Sequence, residues 1–205
     1  MLAARARAEL EAGALRGPAL LERLRAIPFV DRDAWIDEVL GFEPPPPDLP
    51  DLPAGAVPYL PCGVDEIMAM VEGVPLGPDD HLVDLGSGLG RVVIVAHLLS
   101  GARASGVELQ AHLVERARAR GAALRLPAVS FVHANAAELA LDGSVFFLYA
   151  PCNGELLTRV VARLERLARA RRFVVCTVGL ELDEPWLRAR PSAHPALALY
   201  DAWAP

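Results

Sequence analysis

The sequence predicts an α/β fold: a mostly parallel sheet flanked by helices, with an N-terminal helical extension. Three observations predict it. From residue 81 to residue 179, short and almost wholly apolar runs alternate with helix-length segments, as expected of parallel strands covered on both faces. Gly86, Gly88 and Gly90 fall between the first such run and the helix after it. A proline-rich stretch at 44–61 separates this region from a helix-forming N-terminal part.

The elements follow in order. Residues 2–17 are rich in Ala, Leu, Glu and Arg and read as a helix, broken by Gly17–Pro18. Helices are expected at 18–26 and at 33–40, the latter opened by Asp31 or Asp33 and closed by Gly41. The run PPPPDLPDLPAGAVPYLP at 44–61 is extended and semi-rigid, because proline fixes φ and removes a donor. The expected organisation is therefore a helical cap at 1–43, a strap at 44–61 and the sheet domain at 62–205. Within that domain GVDEIMAMVEG at 63–73 is a helix. Strands are expected at 81–86, 104–109, 129–134, 144–150 and 172–179, and helices at 90–101, 111–121 and 155–170. Near the end, WLRA reads as a helical turn and LALYDAW as a last strand that could run antiparallel. The short tail suggests a sheet edge that a second copy could complete, so a homodimer is an expectation.

Composition narrows the function. The chain has 205 residues, 53% of them hydrophobic, and a net charge of -6. No broad basic footprint is present, which argues against a nucleic-acid partner. All 20 basic side chains are arginine, which excludes a Schiff-base or P-loop lysine. The three cysteines are far apart, and neither they nor the five histidines show metal-site spacing. A reducing compartment suits them. The N-terminus has no apolar core of signal-peptide length and no run reaches membrane-spanning length, so a cytoplasmic protein without an anchor is expected.

The chemistry concentrates at VDLGSGLGR, residues 83–91. Glycines between strand and helix let the backbone turn sharply and a ligand approach the main chain. The spacing is G-x-G-x-G; the dinucleotide fingerprint G-x-G-x-x-G would need glycine where Arg91 stands. Asp84, near the end of the first strand, would repel a pyrophosphate but suits an amino group. Glu108, at the end of the second strand, can accept both hydroxyls of a ribose.

Together these segments resemble the class I, Rossmann-like methyltransferases that use S-adenosylmethionine. VDLGSGLGR resembles the first motif of that family, GVEL at 106–109 its acidic second-strand motif, and FVHANAAEL at 131–139 its third-strand motif. The stretch from VPYLP at 57–61 through the glycine loop is also similar to small seven-strand protein lysine methyltransferases. The resemblance implies S-adenosylmethionine as cofactor, held by Asp84, Gly86, Ser87, Gly88, Gly90, Glu108 and Leu109. It places Asn135 where an acidic residue usually meets the adenine amino group, with Ala136 beside it. It also puts Tyr59 and Pro61 at the methionine end. The acceptor expected is a nitrogen on a protein side chain or a small molecule.

In such a sheet the ligand lies beyond the carboxyl ends of the strands. Tyr149, Asn153 and Glu155 follow the fourth strand and are the candidate catalytic residues. Each has a plainer reading: a core aromatic, a turn residue, and an acid in the first turn of a helix. Cys152 reads as a plain pocket residue. The arginines of the 111–121 and 155–170 helices read as a solvated face or as a surface for an acidic partner. An NAD-dependent oxidoreductase and a noncatalytic binding or structural subunit are the alternative functions. The first is opposed by Arg91, Asp84 and the lack of lysine.

Overall fold

In a computed structural model, the structure describes residues 2–204. Among these, seven strands make one sheet in the order β3-β2-β1-β4-β5-β7-β6. The strands are β1 (His81–Leu85), β2 (Arg103–Glu108), β3 (Val129–His133), β4 (Val145–Tyr149), β5 (Phe173–Val178), β6 (Leu187–Arg190) and β7 (Leu197–Ala202). The first five run parallel. β7 is antiparallel to both β5 and β6. The chain order reverses between β1 and β4, and that switch opens a crevice at the carboxyl ends of the strands.

Side chains alternate between two cores even though both sheet faces are buried. Val145 and Phe147 of β4 point to one core, and Phe146 and Leu148 to the other. The second core lies under α7 (Gly154–Ala168), where the Phe146 and Phe173 rings meet edge-on at 5.0 Å. The first core continues through α4 (Val64–Gly73) and α5 (Arg91–Ser100) into the N-terminal helices α1 (Leu2–Glu11), α2 (Pro18–Ala26) and α3 (Arg32–Leu40). On β2's side of the sheet stands α6 (Ala111–Ala123).

Every residue of α5 from Arg91 to Leu99 is buried. A helix apolar all round needs cover on its outer side as well as from the sheet. The N-terminal helices supply that cover: Leu20, Leu24, Ile36 and Val39 share a core with Val93, Ile94 and Met70. Gly17 N–H also bonds to the Leu98 carbonyl at 2.8 Å.

Two readings of the sequence differ from the structure. α1 stops at Glu11 because the chain turns left-handed at Gly13, φ 76°. WLRA is no helical turn. Leu187–Arg190 pairs with Leu199–Ala202 as β6; four residues carry too little periodicity to compete with that cross-strand pairing.

Candidate functional site

The glycine loop is held down on β2. Gly86, Gly88 and Gly90 all have positive φ, at 93°, 52° and 85°. The Val107 carbonyl accepts both Gly86 N–H, at 2.8 Å, and Ser87 N–H, at 3.1 Å. Glu108 is buried and bridges two loops: Oε2 accepts Gly88 N–H at 2.8 Å, and Oε1 accepts Gln110 N–H at 2.8 Å. A side chain on Gly106 would overlap Ser87 and the Phe131 ring. A bare backbone there is what lets the loop approach β2 so closely.

Asp84 is 2% exposed and burial raises its carboxyl well above the usual range, with the Glu108 charge adding to the shift. Burying a carboxylate is costly unless it is paired, and an amino group is a partner that would offset the cost.

The crevice beyond the strands measures about 270 Å³. One wall is Gly86, Glu108 and Leu109, another is Asn135 and Ala136, and Tyr149, Ala150, Pro151 and Cys152 close the β4 end. The strap forms the remaining wall. Ala56 pairs as an isolated antiparallel bridge with Cys152, Val57 N–H donates to the Pro151 carbonyl at 3.2 Å, and Asn153 N–H donates to the Gly55 carbonyl at 2.8 Å. The Tyr59 ring lies against Gly88, so close that any side chain on Gly88 would overlap it. The Tyr59 hydroxyl titrates up at about 12, chiefly from burial.

The residues expected from the sequence therefore divide. Tyr59, Gly86, Glu108, Leu109, Asn135, Ala136 and Tyr149 line the crevice together. Gly88 stands beneath Tyr59, and Gly90 is the left-handed residue that starts α5, its Cα facing the Phe131 ring. Ser87 turns its hydroxyl toward Gly106 and away from the crevice, where it is buried without a partner. Asn153 and Glu155 are exposed, outside the crevice lining, at the start of α7. The chain turns outward after Cys152 to begin that helix, which carries both side chains away. Asn135 accepts Ala137 N–H at 3.0 Å through Oδ1 and donates to Glu138 at 3.1 Å, so it first shapes its own turn. Neither Asp84 nor Pro61 is among the lining residues.

Gln110 was not among the expected residues. It is 3% exposed and lines the crevice. A polar residue two positions after the acidic strand end is its only sequence signal. The arginines of α7 also find partners: Arg163 donates to the Ala137 carbonyl at 3.0 Å and the Glu138 carbonyl at 2.6 Å, and Arg159 pairs with Glu138 at 3.0 Å. They brace the loop that carries Asn135 and Ala136. Cys152 is buried and its thiol is pushed up to about 11 by burial, which opposes a thiolate nucleophile.

Comparison with known proteins agrees with this fold. Residues 61–138 match the family described as histone methylation protein DOT1. The match spans the strap's end, the glycine loop, Glu108 and the Asn135 loop. No curated protein matches the chain. Among solved structures, an RNA methyltransferase from Salinibacter ruber in complex with S-adenosyl-L-homocysteine is 24% identical, over 70% of this chain and 92% of that one, with a TM-score of 0.59. The Escherichia coli protein yhhF, assigned as a methyltransferase, is 18% identical over 76% of this chain and 92% of that one, TM-score 0.58. A point mutant of MtNAS in complex with S-adenosylmethionine is 15% identical over 68% of this chain and 62% of that one, TM-score 0.54. The fold is the seven-strand, Rossmann-like fold of class I S-adenosylmethionine-dependent methyltransferases.

Proposed function

We propose that this chain binds S-adenosylmethionine in the crevice and moves its methyl group to a nitrogen acceptor, on a protein side chain or a small molecule. One observation carries the reading: the crevice at the carboxyl ends of the strands is lined by Gly86 of the glycine loop and by the Glu108 carboxylate, and Asp84, two residues before Gly86, is a buried carboxylate. The bound donor supplies an electrophilic methyl group and its own leaving group. The chain's residues bind, orient and exclude water.

Each role follows from chemistry already described. Asp84 offers a buried negative charge to the donor's amino group. Glu108 keeps lone pairs free for a ribose diol, because each oxygen accepts only one backbone N–H. Leu109 and Ala136 give apolar walls to a base. Tyr149, at the end of β4, lines the crevice and would face the acceptor, whereas Asn153 and Glu155 are exposed outside the crevice lining. The match to a histone methylation family supports a protein amine over a small molecule.

Calorimetric titration of the purified chain with S-adenosylhomocysteine and, separately, with NAD tests the reading. Saturable binding of the first alone is expected. Binding of NAD, or of neither, overturns it.

A further inference from the structure

The strap is joined to the glycine loop through a closed circuit of contacts. Gly88 N–H bonds to Glu108, and Glu108 accepts the backbone N–H of Gln110. The Gln110 side chain then reaches the strap twice: Nε2 donates to Asp48 Oδ1 at 2.6 Å, and Oε1 accepts Leu49 N–H at 2.9 Å. Asp48 Oδ1 also accepts Tyr59 N–H at 3.0 Å. The Tyr59 ring closes the circuit by lying against Gly88.

This circuit commits both ends of a nearly inaccessible amide to the strap. The crevice is open while the circuit is closed, and Tyr59 lines it. Tyr59 is therefore a wall of the crevice and not a plug in it. Prolines keep the strap extended but cannot choose its distance from the sheet; the backbone bonds of Gly55, Ala56 and Val57 fix it at the β4 end, and Gln110 and Asp48 fix it at the β2 end.

We propose that Gln110 and Asp48 are positioning residues that hold Tyr59 on the glycine loop and so retain the bound donor. The inference rests on the donor assignment above. It concerns residues that touch the strap, with Tyr59 as the group that meets the ligand.

The test is a charge swap. In Gln110→Glu the donor to Asp48 is lost and two carboxylates face each other. In Gln110→Glu with Asp48→Asn, the new amide at position 48 gives the carboxylate at position 110 a donor again and removes the repulsion; because Asp48 Oδ1 serves both Gln110 and Tyr59 in the wild type, the amide must rotate for its oxygen to meet Tyr59 N–H. Two readouts are taken: amide hydrogen exchange of Leu49 and Tyr59 in the ligand-free chain, and the dissociation rate of S-adenosylhomocysteine by stopped flow. Q110E is expected to speed exchange at both amides and to speed dissociation by about tenfold, the size of one lost hydrogen bond to a charged group. The double variant is expected to return both toward the wild-type values, with melting temperature checking that each variant folds. Unchanged exchange and dissociation in Q110E, or a double variant as impaired as Q110E, overturns the proposal. A wild-type chain that binds no S-adenosylhomocysteine overturns the donor assignment, and the role of Tyr59 with it; intact binding with an insensitive strap overturns the latch alone.

Discussion

At the scale of single residues, Asp84 sets the balance between stability and ligand binding. An aspartate in the unfolded chain ionises near pH 4, whereas burial, then the Glu108 charge, raises the folded carboxyl well above that. Between these values the folded chain holds a proton that the unfolded chain has released. The corresponding stability is full below about pH 4 and declines as pH rises through the folded value. Asp84→Asn removes that decline. Thermal melts from pH 5 to 8 are expected to show a flatter profile and a higher melting temperature for the variant toward pH 8; a lower melting temperature throughout would contradict the assignment. The same substitution removes the anionic partner of an amino group. Affinity for S-adenosylhomocysteine is expected to fall roughly 30-fold or more, as when one member of a buried charged pair is truncated. Stability and affinity thus move in opposite directions, a combination that plain structural damage does not give.

At the scale of elements, what mattered was how near two of them could approach. Glycines in a strand-to-helix turn are visible in any reading of the chain, and Asp84 and Glu108 could be placed around them from spacing alone. Gly106, inside β2, carried no such signal, yet a Cβ there would strike Ser87 and Phe131. Gly106→Ala is expected to cost about 1–3 kcal/mol through overpacking, read by urea unfolding, and to weaken donor binding because the loop must lift. A cost under about 0.5 kcal/mol, the range of ordinary surface changes, would show that the approach is slack. Apolar strands and their helices were legible because both sheet faces are covered, so whole runs of Val, Phe and Leu mark them. The path of the strap was not. Its prolines specify extended backbone, but its course is set by bonds from Gln110 and by the Ala56–Cys152 bridge, between residues distant in sequence. Asn153 and Glu155 were likewise placed by nearness to a strand end, which says nothing about the outward turn into α7.

At the scale of the whole molecule, the helices before the strap are joined to the site by both charge and packing. Arg91, the residue after the last loop glycine, is 7% exposed. It donates to the Cys62 carbonyl at 3.0 Å and pairs with Asp33 at 3.3 Å and with Asp37, both on α3. Asp33 in turn accepts Val64 N–H at 2.8 Å, which satisfies a free donor at the start of α4. Around this polar node, Leu20, Leu24, Ile36, Val39 and Leu40 are buried against α4 and α5. Burying one such side chain contributes ~1.5–3 kcal/mol, while a domain's net stability is only about 5–15 kcal/mol. Removing residues 1–43 would uncover the partners of all five at once and leave Arg91 without its acids. The chain beginning at residue 44 is therefore expected to lose cooperative unfolding in urea and to bind no S-adenosylhomocysteine, whereas the full chain should unfold in one transition seen equally by circular dichroism and by tryptophan fluorescence. Trp35 lies in α3, and Trp186 and Trp203 lie near the C-terminal strands, so fluorescence reports both ends of the molecule. A soluble, donor-binding 44–205 fragment, or two separated transitions in the full chain, would mean that the helices before the strap fold apart from the sheet and that the crevice does not depend on them.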